Sequence, residues 1–198
     1  ATVVVGVTGG VAAFKAVSVV RELMRAGHDV RVAATPASLN FVGPSTWAGL
    51  TGAPAVVDVF GAGAEHVELA RAADLVLVVP ATADALARIR AGMADDMVAL
   101  TVLASPAPVV IAPAMHSAMW TSPATASNVA ELRRDDHCPA FVDESPFPFD
   151  RHCRKPLAED HGECILGGNH LCAVHVDEAD ASLAVFNARK ALGKTPMF

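Results

Sequence analysis

The sequence contains no tyrosine, and aromatic residues make up only 5% of the chain. Proteins that bind single-stranded nucleic acid stack bases on aromatic side chains, so this scarcity disfavours such a role. Positive charge is limited as well, because 15 Lys and Arg residues stand against 21 Asp and Glu residues, for a net charge of −6. A nucleic-acid-binding protein usually carries a basic patch, and the sequence shows none. We therefore expect no nucleic-acid partner.

Long apolar runs are also missing, since no stretch reaches the length of about 18 residues that a membrane-spanning helix needs. The first residues, ATVVVGVTGG, lack the basic start of a signal peptide. Four cysteines occur (Cys138, Cys153, Cys164 and Cys172), but they form no closely spaced pair of the C-x₂-C type that structural zinc sites use. We expect a cytoplasmic protein with reduced thiols, no membrane association and no metal.

What the chain does have is apolar residues arranged in a regular alternation. Hydrophobic residues amount to 53% of 198, which suits a single domain with a large core. Segments typical of buried strands alternate with segments of helical periodicity, and this pattern predicts a doubly wound parallel sheet in a three-layer α/β/α fold. The predicted strands are 2–7, DVRVAAT, the extended segment AVVDVF, DLVLVVP and PVVIAP.

The helical segments have recognisable ends. A helix over 11–26 should stop at Gly27, and the segment 82–104 should be helical with an interruption at Gly92. Shorter helices are predicted in STWAGLTG and HVELARAA, and a further helix opens with the Ser-Pro pair of SPATASNVAELRRD.

Beyond Asp135 the periodicity weakens and prolines accumulate. A long irregular segment in a compact domain is usually a functional lid or a disordered stretch. We interpret 136–176 as a C-terminal substrate flap, followed by an amphipathic helix that ends near Gly193. Residues 1–198 then form one domain.

The first candidate site is the stretch VVVGVTGGVAAFKA, where a strand leads through a glycine turn into a helix. Exposed N–H groups and the helix dipole favour a phosphate at such a place. The glycines do not follow the G-x-G-x-x-G pattern of dinucleotide sites, so a mononucleotide fits better, and a tight turn without a ligand is the alternative. Thr35 and Ser38 follow the second strand, where they could contact a ligand or simply cap a helix.

The second candidate site combines three segments. In PATAD, Thr82 and Asp84 follow a strand and in the simplest interpretation cap the next helix. His66 stands alone beside a short helix, and alone it is more typical of a surface or core histidine than of a catalytic one. APAMHSAMW places two methionines, a histidine and a tryptophan within six residues, which suits either a strand end or a pocket with apolar walls.

The sequence resembles the homo-oligomeric flavin-containing cysteine decarboxylases in a series of motifs that occur in the same order. These are strand–TGG–helix, T-x₅-F, H-V-x-L-x₄-D, P-A-T-A-D, G-M-A-D-D and A-P-A-M-H-x₂-M-W. This family includes phosphopantothenoylcysteine decarboxylases and lantibiotic peptidyl-cysteine decarboxylases, and the resemblance covers about residues 2–134. It implies a Rossmann-like (flavodoxin-like) fold, FMN as cofactor, and a homo-oligomer (a trimer or dodecamer) with FMN at the subunit interface.

The resemblance also implies roles for individual residues. His66 would be the catalytic base, and the glycine turn would hold the FMN phosphate. The substrate would contact His116, Met119 and Trp120. The implied cofactor-binding residues are Gly9, Gly10, Ala12, Thr35, Ser38, Phe41, Ala81, Thr82, Asp84 and Met115.

Two positions depart from the family pattern, because Asp84 and His116 stand where the family usually has asparagine. The asparagine at the second position grips the substrate carboxylate by donating N–H. Histidine can donate as well, and a protonated ring adds charge, so we keep the carboxylate role for His116 and expect it to make binding depend on pH.

The implied reaction oxidises the CH₂–S group of a C-terminal cysteine to a thioaldehyde, after which CO₂ leaves to give an enethiolate. The flap lacks the A-C-G-x₂-G-type motif of the coenzyme A enzymes and suits a clasp over a peptide. We therefore expect oxidative decarboxylation of a ribosomal precursor peptide with a C-terminal cysteine. The alternatives are a phosphopantothenoylcysteine decarboxylase of coenzyme A biosynthesis, a non-catalytic flavin-binding regulatory homologue and a relative of prenyl-FMN synthases.

Overall fold

A computed structural model describes residues 1–60, 65–134 and 140–141. They build a five-stranded sheet in which every neighbouring pair is parallel and the strand order is β2-β1-β3-β4-β5. This confirms the predicted doubly wound, flavodoxin-like α/β fold. The strands are β1 (Thr2–Val7), β2 (Asp29–Ala34), β3 (Leu75–Ala81), β4 (Val109–Pro113) and β5 (Ala140–Phe141).

Helices fill the connections between the strands. They are α1 (Ala13–Arg25), α2 (Pro44–Thr51), α3 (Glu65–Ala72), α4 (Ala83–Arg90), α5 (Met97–Ala104), α6 (Ser117–Trp120) and α7 (Pro123–Leu132), with a 3₁₀ helix at Pro36–Asn40. Among the described residues, none of these helices is long and apolar enough to cross a membrane.

The core lies in two layers, one on each face of the sheet. Val3 and Val5 of β1 point into the layer that holds α1 and the fully buried Trp47 of α2. Val4 points into the other layer, where it joins Met97 and further residues of α3, α5 and α7. Alternate residues of one strand are thus buried on opposite faces, as expected for a parallel sheet covered on both sides.

Two predicted helix boundaries at glycine are confirmed. α1 is followed by Gly27 with φ of +81°, and the N–H of His28 donates to the Leu23 carbonyl at 3.1 Å, which closes the helix end. Gly92 has φ of +66° and follows α4, so the predicted helical segment divides there. The Asp96 side chain then begins α5 by accepting the N–H groups of Val98 and Ala99, both at 2.9 Å.

The extended segment predicted at AVVDVF is reduced to a single bridge. Only Val56 joins the sheet, through its N–H to the Val32 carbonyl at 2.8 Å and its carbonyl to the Ala34 N–H at 2.9 Å. The Asp58 carboxylate then accepts the Phe60 N–H at 2.9 Å, which turns the backbone away from the sheet edge. Local turn formation thus prevails over the β propensity of the valines.

Most of the predicted flap over 136–176, its four cysteines and the predicted final helix lie outside the described residues. The exception is β5, because Ala140 and Phe141 pair with Val110 and Ile111 of β4. These two residues add an edge strand to the sheet, and the interpretation of 136–176 as a flap stays a prediction.

Candidate functional site

A cavity of about 670 Å³ lies at the carboxyl ends of β1 and β3. The chain passes from β1 outward to β2 and then returns past β1 to β3, so the strand order reverses between β1 and β3. Ligands of open parallel sheets bind at such a reversal. The cavity is lined by residues 8–12, 35–37, 82–85 and 114–116, with Arg88, Asp95, Asp96 and Met119.

The first wall is the glycine turn after β1. A Cβ at Gly9 would lie 2.5 Å from the Ala37 Cβ, and a Cβ at Gly10 would lie 3.1 Å from the Thr82 Cγ2. The turn therefore packs so closely against both neighbouring strand ends that a side chain at position 9 does not fit. Ala12 precedes α1 and provides no side-chain cap, although the N–H groups of Ala13 and Lys15 donate to the carbonyls of Gly10 and Ala12 at 2.9 and 3.0 Å. The positive end of the α1 dipole lies at this turn and favours an anion there.

The second wall is the start of α4. The Thr82 hydroxyl accepts the Ala85 N–H at 3.2 Å, so Thr82 caps the helix, whereas the Asp84 carboxylate accepts from Arg88 Nε at 2.7 Å. Arg88 Nη1 also donates to both carboxylate oxygens of Asp95 at 2.7 Å. The hydrogen bond from Arg88 lowers the pKa of Asp95, and the two carboxylates raise the pKa of Arg88 above its ordinary value.

The third wall follows β4. The Ala114 N–H donates to the Ala81 carbonyl at 3.0 Å, which continues the sheet by one residue and directs the chain toward the cavity. Met115 is half-buried and packs against the core layer that contains Met97. Met119 also lines the cavity, with 48% of its surface exposed. Because both methionines carry apolar side chains, this wall is largely apolar.

His116 is the polar residue of this wall. It precedes the four-residue helix α6, and its Nδ1 accepts the Ala118 N–H at 3.2 Å. A neutral imidazole has one acceptor and one donor nitrogen, so Nε2 carries the proton in this arrangement. His116 therefore uses one nitrogen to cap α6 and offers the other as a donor.

Nine of the predicted site residues line this cavity. They are Gly9, Gly10, Ala12, Thr35, Thr82, Asp84, Met115, His116 and Met119. Their individual functional roles stay predictions, but the structure brings together residues that lie more than 100 positions apart in the sequence.

The other five predicted residues do not line it. Ser38 is buried, and its hydroxyl donates to the Thr35 carbonyl at 2.7 Å. Its N–H donates to the Thr35 hydroxyl at 3.3 Å, so Thr35 caps the 3₁₀ helix, as the capping alternative expects. Ala81 is fully buried, while Phe41 and Trp120 are 45% and 38% exposed outside the lining. His66 lies on α3 and is half-buried.

The lining residues that sequence reasoning missed include Thr8, Arg88 and Asp95. The spacing of Asp84 and Arg88, four residues apart in a predicted helix, signals an ion pair that was available from the sequence. Thr8 gave no such signal, because its partners lie on a distant strand.

The arrangement can hold an organic ligand with one anionic end. The glycine turn suits a phosphate, the methionines suit an apolar ring, and His116 offers a donor. Within residues 1–60 and 65–134, no group of three or more His, Cys, Asp or Glu side chains is placed to hold a metal ion. Fold and site together define a nucleotide-cofactor protein of the flavodoxin-like class.

A comparison with models of protein families identifies the family of this chain. The flavoprotein family model matches residues 1–161, and the chain belongs to this family. The coenzyme A biosynthesis bifunctional protein CoaBC of Mycobacterium tuberculosis (strain ATCC 25618 / H37Rv) is 54% identical over 134 residues, which are 67% of this chain and 32% of that protein. CoaBC of Escherichia coli (strain K12) is 44% identical over 134 residues, 66% of this chain and 33% of that protein. The chain thus spans about a third of the length of these curated relatives.

Solved structures agree with the predicted family. The FMN-dependent cysteine decarboxylase SpaF matches with a TM-score of 0.65 and 37% identity, over 69% of this chain and 81% of that one. A mutant PPC decarboxylase complexed with pantothenoylaminoethenethiol matches with a TM-score of 0.60 and 26% identity, over 67% of this chain and 77% of that one. The predicted resemblance to flavin-containing cysteine decarboxylases is therefore confirmed.

Proposed function

We propose that this chain is an FMN-dependent decarboxylase that removes the cysteine carboxylate of phosphopantothenoylcysteine in coenzyme A biosynthesis. The observation that carries the proposal is the cavity between β1 and β3, in a chain 54% identical to a coenzyme A biosynthesis protein. That identity exceeds the 37% identity with SpaF. The precursor peptide, which the sequence favoured as substrate, therefore becomes the second candidate.

The cofactor is FMN, and the cavity fits it. Gly9 and Gly10 leave their backbone open toward the N-terminus of α1, where the FMN phosphate would lie. Thr35, Thr82 and Met115 border the remaining space for the ring system. When bound, FMN supplies a two-electron acceptor that lets the carbon beside the thiol be oxidised before CO₂ leaves.

The chain's own residues would bind and orient the substrate. His116 Nε2–H would donate to the cysteine carboxylate, while Met115 and Met119 exclude water from the reacting carbons. In the net reaction the bond from Cα to the carboxylate breaks, CO₂ leaves, and Cα gains a proton. The substrate is not oxidised overall.

We infer that His66 acts as the base from a second copy of the chain. His66 does not line the cavity of its own chain. Val11 and Met119 line that cavity with 58% and 48% of their surfaces exposed, and such apolar side chains favour coverage by another subunit. A homo-oligomer, either trimer or dodecamer, would bring the two together. The oligomer and a cytoplasmic location both remain predictions.

Mass spectrometry of the product tests the substrate. The FMN-loaded protein should convert phosphopantothenoylcysteine to a product lighter by CO₂ alone. The second candidate, supported by the likeness to SpaF, would instead release from a peptide with C-terminal cysteine a product lighter by CO₂ and two hydrogens. If neither substrate changes mass while flavin is bound, the protein is not a decarboxylase of either kind, and a regulatory flavoprotein is the better hypothesis.

Mixed oligomers test the role of His66. We expect His66→Asn to keep bound flavin and lose turnover, and Gly9→Ala to lose flavin. If the histidine and the cavity come from different copies, co-expression of the two variants should restore part of the activity. Retained turnover in His66→Asn alone would contradict the assignment of the base.

A further inference from the structure

Thr8 is a buried threonine whose hydroxyl both donates and accepts a hydrogen bond. It is only 2% exposed. Its Oγ1 donates to the Pro80 carbonyl at 2.6 Å and accepts the Thr82 N–H at 3.1 Å. One hydroxyl therefore satisfies two backbone groups that lie 72 and 74 residues further along the chain.

These two bonds occur where the regular pairing of the sheet stops. The last paired residues of β1 and β3 are Gly6 and Val78. On its other side, β3 shows a register shift between Val78 and Ala81. The backbone groups of Pro80 and Thr82 thus have no ladder partner on β1, and the Thr8 side chain takes the place of that partner.

The same bonds connect two walls of the cavity. Residues 8–10 form the glycine turn, and Thr82 caps α4 by accepting the Ala85 N–H at 3.2 Å. The close approach of Gly10 to the Thr82 Cγ2 shows that the two segments touch. The Thr8 hydroxyl is the polar link that holds them at this separation, so it fixes the width of the cavity between the turn and α4.

We propose that Thr8 is a positioning residue for FMN. It sets the distance between the phosphate-binding turn and the start of α4, without itself contacting the reacting atoms. This inference rests on the proposed function, because it takes FMN as the ligand of the cavity.

The test compares variants of Thr8 with a matched control. Thr8→Val keeps the shape and removes the hydroxyl, whereas Thr8→Ser keeps the hydroxyl. Ser105 is the control, because it is a buried hydroxyl that donates to the Ala70 carbonyl at 3.1 Å and accepts the Ala107 N–H at 3.2 Å, away from the cavity. The readouts are the FMN dissociation constant of the apoprotein, the visible absorption of bound flavin, and the melting temperature.

We expect Thr8→Val to weaken FMN binding by about tenfold or more and to change the flavin spectrum, because the buried Pro80 carbonyl and the part-buried Thr82 N–H lose their partner. Thr8→Ser should stay within about threefold of the wild type, and Ser105→Ala should lower the melting temperature while FMN binding stays within about twofold. If Thr8→Val does not fold, Thr8→Cys replaces it, with an affinity expected between those of the valine and serine variants.

Other outcomes overturn the inference in distinguishable ways. A folded Thr8→Val variant that binds FMN like the wild type would refute the role of Thr8 alone. Equal losses of FMN affinity in Thr8→Val and Ser105→Ala would reduce the effect to general stability. A folded wild-type protein that binds no FMN would refute the proposed function, and the role of Thr8 with it.

Discussion

His116 shows how one residue can replace another of different shape. Asparagine offers an oxygen acceptor and an N–H donor on one side chain, and a neutral imidazole offers the same pair on its two nitrogens. In this chain the acceptor Nδ1 caps α6, which leaves the donor for a ligand. The imidazole thus presents one acceptor and one donor, as the asparagine of the family signature does.

A series of three substitutions separates the two functions of His116. His116→Asn should preserve the helix cap and the N–H donor, so its KM should stay close to that of the wild type. Asp should preserve the cap but repel the substrate carboxylate, and Ala should lose both functions. We expect KM to rise by about tenfold or more in Ala and further in Asp. Steady-state kinetics and urea unfolding together measure this, and an unchanged KM in both variants would contradict the carboxylate contact.

Gly9 is a second residue with a measurable consequence. In Gly9→Ala the new Cβ would meet the Ala37 Cβ at 2.5 Å, so the 3₁₀ helix must shift. We expect a loss of about 1–3 kcal/mol in the free energy of unfolding and of about tenfold or more in FMN affinity. Gly49→Ala is the control: Gly49 lies in α2 with no atom within 4 Å of a new Cβ, so the substitution should stabilise by about 0.5–1 kcal/mol.

At the scale of residues, the sequence predicted which segments line the cavity better than it predicted the hydrogen bonds that individual side chains make. The glycine turn and APAMH were recognisable because short motifs carry them. Ser38 was predicted to contact the cofactor; its hydroxyl donates to the Thr35 carbonyl, and its role stays a prediction. The choice between a cap and a ligand contact depends on side-chain direction, which the sequence does not specify.

Among the elements, α4 and α5 are joined by a short connection and also by the hydrogen bonds of Arg88. Arg88 on α4 binds Asp84 on its own helix and Asp95, which immediately precedes the cap of α5. A guanidinium with hydrogen bonds to two carboxylates has better geometry than a typical surface pair. This link holds the connection, with Asp95 and Asp96, in place at the cavity.

The pH dependence of stability tests this link. Because Arg88 lowers the pKa of Asp95, the ionised pair stabilises the fold at pH values above the unfolded-state pKa. This contribution is lost as the pH falls through the lowered folded-state pKa. The difference in unfolding free energy between the wild type and Asp95→Asn should therefore be present at neutral pH and disappear in acid, as urea titrations at several pH values would show.

The exposed pair of Glu22 and Arg25 on α1 is the matched control. Glu22→Gln should leave the free energy of unfolding nearly unchanged, because exposed pairs contribute little. A difference for Asp95→Asn that persists undiminished into acid would show that the ionised pair is not its cause.

The elements were largely predictable, and the exceptions have physical causes. Strands of alternating burial and helices ended by Gly27 or Gly92 follow from apolar periodicity and from the conformational freedom of glycine. AVVDVF was not predictable as a loop, because its valines favour a strand while the turn at Asp58 depends on one side-chain bond. β5 lies in a segment without periodicity, so nothing local indicated it.

For the whole molecule, the strand order of the sheet decides where the cavity lies. The cavity lies where the strand order reverses between β1 and β3. The alternation of strands and helices predicted a parallel sheet, but not the strand order that sets this position. The hydrogen bonds of Thr8 were not predictable, because they join residues more than 70 positions apart.

FMN should stabilise the whole fold, because it binds the folded chain only. At a concentration of 100 times its dissociation constant, a ligand adds about 2.7 kcal/mol, which corresponds to about 5–10 °C in melting temperature for a chain of this size. Differential scanning fluorimetry of the apoprotein with and without FMN measures the shift. Gly9→Ala should show little of it, and an equal melting temperature with and without FMN in the wild type would contradict FMN binding.

The walls of the cavity come from segments that lie far apart in the sequence, and this has a consequence for synthesis of the protein. The glycine turn is made first, but Thr8 finds its partners only at Pro80 and Thr82, and the last wall ends at Met119. When only β1, α1 and β2 of a nascent chain have left the ribosome, the glycine turn is present, but the walls formed by α4 and by the segment after β4 are not. We therefore expect flavin to be loaded after the segment up to Met119 has emerged, so that the yellow colour of the protein reports a completed cavity.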